Sequence, residues 1–178
     1  MKNHILIILL LVSNLIISQN QEVKSKQSNA EIFSNKSGSL IEKQSKEVGK
    51  VGKTEIKIVK LTDMISGESI SSLRLERRFI DKYTSDTKIA SLDTDEISAL
   101  IKSIEIIRDQ VFNFPPENYT EISFRSRSGF EAGCYWNKNI WKPYIQFKKN
   151  DRKSLLRLNK PEFLNLLTLI KQAKKELN

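Results

Sequence analysis

The sequence predicts an α+β fold: a tandem repeat of antiparallel β-β-β-β-α units, with the helices packed on one side of curved sheets. Three observations lead there. Short runs with two-residue apolar alternation are separated by Gly-, Asn- and Asp-containing turns, the mark of antiparallel strands. Two longer segments follow the 3.6-residue helical period, each directly after a strand and each opened by Asp or Asn. These segments align without gaps: Leu92, Glu96, Leu100 and Ile104 match Leu158, Glu162, Leu166 and Ile170 at one constant offset. With 178 residues there is room for one domain. It is expected at 37–178, in halves 37–112 and 119–178.

In the first half, residues 37–52 are ambiguous, although Leu40, Ile41, Val48 and Val51 would fit one face of a twisted strand. Thr54 to Leu61 reads as a strand, with Ile56 and Ile58 on one side. Asp63 to Glu68 has turn chemistry, Asp early and Gly67 late. Ser71 to Phe79 is its hairpin partner, since Leu73 and Leu75 alternate with Arg74, Glu76 and Arg78. Lys88 to Leu92 is a short strand. Asp93-Thr94-Asp95-Glu96 then forms a capping box. Ile97, Leu100, Ile101, Ile104 and Val111 make the apolar stripe of the helix that follows, and Pro115-Pro116 closes it off.

The second half repeats the order. Tyr119 to Arg127 alternates, Ser128-Gly129 turns, and Phe130 to Trp136 alternates again. After a turn at Asn137-Lys138-Asn139, a strand is expected over Tyr144 to Lys149, leaving Trp141 in a loop. Leu155 to Leu158 is a short strand. Asn159 caps a last helix that tolerates Pro161 in its first turn, where the N–H has no helical partner. Phe163, Leu166, Leu167 and Ile170 form its stripe, and Lys171, Lys174 and Lys175 suit its negative end.

A repeated β-β-β-β-α order over 37–178 resembles the Pur-alpha and Whirly families. There, curved antiparallel sheets carry helices on one side and bind single-stranded nucleic acid on the other. The likeness is one of element order, so it assigns no functional residue.

The N-terminus points to export. Lys2 precedes an apolar stretch from Ile5 to Ile17, broken only by Ser13-Asn14, and Ser18-Gln19-Asn20-Gln21 is abruptly polar. This is the layout of a signal peptide over 1–18, too short for the ~20 residues that span a bilayer. Residues 19–36 read as a flexible polar leader. The Lys-, Ile-, Asn- and Ser-rich usage and the Ser-Gln-Asn junction resemble exported proteins of AT-rich Bacteroidota-type bacteria. The expected location is periplasmic or extracellular.

Composition limits the chemistry. The lone histidine, His4, would leave with the signal peptide, so His-based triads and metal sites are not expected. One cysteine excludes an intrachain disulfide framework. Parity with Phe130, Ala132 and Trp136 places Cys134 inside as an inert thiol. Gly52-Lys53-Thr54 resembles the tail of a phosphate-binding loop, but Glu47 stands where that pattern needs Gly, and a strand follows rather than a helix. Ser85-Asp86-Thr87-Lys88 matches the Ser-x-x-Lys of acylating enzymes but leads into a strand. Asp93, Asp95 and Glu96 lack calcium-loop spacing and serve better as a helix cap. No cofactor or metal is expected.

Thirty Lys and Arg against 21 Asp and Glu give a formal charge of +9. Between Phe124 and Lys149, aromatics and cations interleave. Arg125, Arg127, Tyr135, Tyr144 and Lys148 are expected on an outward sheet face, with Trp141 beside them. Such a face can stack rings and hold anions. The reading is a non-catalytic exported binding module. Its expected partner is an anionic surface polymer, a lipid headgroup or a protein. Single-stranded nucleic-acid binding and a His-independent hydrolase are the alternatives.

Overall fold

The computed structural model describes residues 27–80 and 84–177. The signal-peptide reading of 1–18 and the leader at 19–26 fall outside them. The chain is α+β, with two antiparallel four-stranded sheets and three α-helices among the described residues. Helix α1 spans Asn29–Ser34. Strands β1 (Ile41–Val51), β2 (Thr54–Asp63), β3 (Ser69–Ile80) and β4 (Ser85–Asp93) form the first sheet in sequence order, followed by helix α2 (Thr94–Asp109). Strands β5 (Glu121–Arg125), β6 (Glu131–Asn137), β7 (Ile140–Gln146) and β8 (Leu155–Arg157) form the second, followed by helix α3 (Lys160–Leu177).

The ambiguous stretch 37–52 contains the long strand β1. Its register with β2 shifts between Glu47 and Gly49, where one extra residue enters the strand. Gly49 there touches Leu169 of α3, which is why a small residue suits the position.

Both long helices start as the sequence predicts. Glu96 Oε2 accepts from the Asp93 N–H at 3.0 Å, and Glu162 Oε2 accepts from the Asn159 N–H at 2.9 Å. Helix α2 buries Ile97, Leu100, Ile104 and Ile107. Helix α3 buries Phe163, Leu166, Leu167, Ile170 and Ala173. Helix α2 stops at Asp109, short of Val111, which belongs to a brief 3-10 turn ahead of Pro115.

The two helices pack together and exchange sheets. Helix α3 lies against β1, β2 and β3 of the first sheet as well as β7, while α2 reaches β5 and β6 of the second as well as β3 and β4. One continuous core results, with Ile56, Leu73, Leu75 and Leu92 from the first sheet and Phe130, Ala132, Ile145 and Phe147 from the second half. Each fully buried Leu, Ile or Phe contributes about 1.5–3 kcal/mol.

The expectation of a flexible leader through residue 36 needs correction. Residues 28–34 form a capped helical turn, with Ser28 and Glu31 making a reciprocal capping box. Ala30 and Phe33 of α1 cover Val59 and Leu61 on the outer face of the first sheet, together with Ile41 and Ile70. Helix α1 thus buries the Val59 and Leu61 side of β2, while Lys60 on the opposite face stays exposed. The Asp93 carboxylate fixes α1 by accepting from the N–H of Asn29 at 2.8 Å and of Ala30 at 3.2 Å.

Candidate functional site

The outer face of the second sheet carries the aromatic and cationic mixture anticipated from sequence, in a different arrangement. Register fixes its members. Glu121 lies opposite Tyr135, Tyr135 opposite Lys142, and Tyr144 opposite both Gly133 and Arg157. Glu121, Tyr135, Lys142, Tyr144 and Arg157 bound an open groove of about 740 Å³, with Tyr119, Lys138 and Asn137 at its margins.

Two tyrosines form the floor, Tyr135 and Tyr144, with ring centroids 6.1 Å apart and an interplanar angle of 50°. Tyr144 is almost fully buried, and its hydroxyl donates to Glu121 Oε1. Burial first, and then this bond to a carboxylate, push its pKa up. Tyr119, 67% exposed, donates to the other oxygen of the same carboxylate at 3.3 Å. Arg157 Nε donates to the Tyr135 hydroxyl at 3.1 Å, and Lys142 Nζ donates to Asn137 Oδ1 at 3.2 Å. Lys138, Lys142 and Arg157 thus face the groove with Glu121 as the one carboxylate lining it.

Of the six residues expected to form the site, only Tyr135 and Tyr144 line this groove. Arg125 shares the face but is held by the buried Glu131, its Nε donating at 2.6 Å. Lys148 lies past the end of β7, exposed, and its N–H donates to Ser154 Oγ.

Arg127 is not on the sheet face. It sits in the β5–β6 turn and faces the start of α2. Its guanidinium donates to Asp93 and Asp95, and its backbone N–H donates to Glu96 Oε1 at 2.6 Å. All three carboxylates are thereby hydrogen-bonded by Arg127, whose single charge offsets one of their three. Replacing Arg127 with Glu would set like charges together, so a lowered urea midpoint is expected, with binding at the groove unchanged in the folded fraction.

Trp141 is not in a loop. Lys138 and Asn139 both adopt positive φ, 53° and 61°, as a two-residue hairpin turn requires. Strand β7 therefore begins at once, at Ile140. Trp141 falls opposite Trp136 on the core side, 6% exposed, with ring centroids 5.4 Å apart.

Sequence reasoning missed Glu121, Lys142 and Arg157. Lys142 and Arg157 were accessible only once the turn was placed, because their faces depend on where β7 and β8 start.

Cys134 is fully buried, and burial pushes its thiol up to about 12. The thiolate is the reactive form. Alkylation at pH 8 should therefore fail on the folded protein and reach one equivalent in denaturant, as read by intact mass. Ready alkylation of the folded chain would contradict this placement.

No helix among the described residues is long and apolar enough to cross a membrane. Comparison with family models, with curated proteins and with solved structures finds no match to this chain. The likeness to the Pur-alpha and Whirly families accordingly rests on element order alone.

Proposed function

We propose that the protein is an exported, non-catalytic binding module made of two copies of a β-β-β-β-α unit, gripping an anionic polymer on the outer face of the second sheet. The observation that carries the reading is the groove itself, a tyrosine floor flanked by Lys138, Lys142 and Arg157. The part-buried Tyr135 and the exposed Tyr119 offer ring surface that favours stacking against sugar or base rings, and the cations favour acidic substituents. Asn137, Gln146 and the tyrosine hydroxyls add hydrogen-bonding capacity.

Duplication is supported by the helix pair. Leu92 and Leu158, Ile97 and Phe163, Leu100 and Leu166, and Ile104 and Ile170 are all buried at the same offset, and both helices open on the same capping arrangement. Each helix packs on both sheets, so neither half would fully bury its own sheet alone. The absence of catalysis is supported by the lack of histidine after residue 4 and by a thiol held protonated.

An acidic oligosaccharide, oligogalacturonate, is expected to bind at low salt and to be released by about 0.5 M salt, where the screening length falls to a few ångströms. Paired substitution of Lys142→Glu and Arg157→Glu should weaken it at least about tenfold. Tryptophan emission should stay flat, since both indoles face the core, so calorimetry or tyrosine NMR is the suitable readout. No titratable heat from the native protein, or equal affinity in the charge-reversed variant, would end the reading. Binding of oligothymidylate but not of the uronate would instead favour the single-stranded nucleic-acid function on the same face.

A further inference from the structure

A second cationic site lies at the far end of the first sheet. Lys53 from the β1–β2 turn, Arg77 and Arg78 from β3, Lys88 from β4 and Lys153 from the 3-10 turn before β8 surround a cleft of about 390 Å³. These residues come from four separate parts of the chain, including both halves. Among the described residues that line it, Asp86 is the one carboxylate. It pairs with Lys88 at 2.7 Å, and Asp151 pairs with the same Lys88 at 2.7 Å. Both carboxylates are spent on that one lysine, whose pKa the hydrogen bonds to Asp151 and then Asp86 push up.

The other four cations have no ion pair within the described chain. Among the described residues, Arg78 donates to Ser85 Oγ, at 3.0 Å. Arg77 lies over the Phe79 ring, 5.4 Å from its centroid. Its Nε is buried and has no hydrogen-bond partner. The other such side-chain atom among the described residues is Thr54 Oγ1. Continuing the β2–β3 register one step past Glu55 and Glu76 sets Thr54 opposite Arg77, and Arg77 is itself opposite Lys88. The two buried polar atoms without partners thus fall in one cross-strand row, which ends in the cleft.

A buried guanidinium N–H with no acceptor costs about 1–3 kcal/mol, and like charges brought together add to that cost. An acceptor bearing negative charge relieves both. We propose that this cleft binds a tetrahedral oxyanion of the phosphate-monoester type. Arg77 supplies the directed donor, Lys53, Arg78 and Lys153 supply charge, and the exposed Ile80 at the rim (76% exposed) meets whatever carries the phosphate. This site is separate from the tyrosine groove, so either can fail without the other.

The test uses the full chain and amide NMR at constant ionic strength. Inorganic phosphate should give saturable shifts at Lys53, Arg77, Arg78 and Lys153, and should move the Arg77 Nε–H resonance. Chloride should not. The double variant Lys53→Gln with Lys153→Gln changes only exposed side chains, so it should fold with an unchanged melting temperature and bind phosphate at least about tenfold more weakly. Arg77→Lys keeps the charge but not the planar fork, and should lose the directed contact. Co-sedimentation with phosphatidylcholine vesicles containing phosphatidic acid identifies a lipid-borne phosphate, if those vesicles capture the protein through the same residues. Shifts that stay linear and spread over surface lysines generally, together with no vesicle capture, overturn the proposal. So does binding that survives the double glutamine variant.

Discussion

Replacing Asp93 with alanine is expected to lower the unfolding free energy by about 3 kcal/mol. Three separate elements meet at this buried carboxylate. It stands at the N-cap position of α2, accepts from two backbone N–H groups of α1, and receives the Arg127 guanidinium. Losing the partly exposed ion pair with Arg127 costs up to about 1 kcal/mol. Leaving the α1 donors without an acceptor costs about 1–3 kcal/mol more. Asp93→Asn keeps an acceptor oxygen and should lose roughly half as much. Urea denaturation measures the total. Hydrogen exchange should show fast amides over residues 29–34 in the alanine variant, because only a small apolar patch would still hold α1 to the sheet. An alanine variant as stable as the native protein, with α1 still protected, would show that the carboxylate does not organise this junction.

Gly133→Ala should be the other severe substitution, destabilising by about 3 kcal/mol or more. A Cβ at this position would sit 2.2 Å from the Ile122 carbonyl oxygen and 2.8 Å from the Ser123 Cα. Both obstacles are backbone of the neighbouring strand β5, so relief requires parting β5 from β6. The groove would go with it, since Glu121 on β5 holds the Tyr119 and Tyr144 hydroxyls. Gly49→Ala is the informative contrast. Its Cβ would meet Leu169 Cδ2 at 2.7 Å, the far end of a flexible side chain that can turn aside. A cost of about 1 kcal/mol is expected there. If both variants unfold at the same urea concentration, close strand approach at Gly133 is not the governing contact.

Much of the fold is legible in the residues. Capping boxes at Asp93 and Asn159 place the helix starts, because each cap depends on residues only three positions apart. The stripes Ile97–Leu100–Ile104 and Phe163–Leu166–Ile170 give the buried faces for the same local reason. Cys134 is placed correctly by strand parity alone. The site is less legible. Trp141 is expected in a loop because Asn137-Lys138-Asn139 does not announce a two-residue turn; the parity of Tyr144, Ile145 and Phe147 holds, and only the earlier start of β7 brings Trp141 to the core. Arg127 alternates in phase with Arg125, yet β5 ends at Arg125, and the attraction of three carboxylates on α2 decides where Arg127 goes.

What the sequence determined by itself is the order of most strands and of the two long helices, where those helices start, and the stripes they bury. All of these arise from interactions within a few residues along the chain. The exchange of helices between sheets, the docking of α1 on Val59 and Leu61, the tyrosine groove and the cleft around Arg77 were decided only in three dimensions. Each joins residues far apart in sequence, and no local periodicity encodes which distant surfaces will share a core or which charges will be left facing one another without a counter-ion.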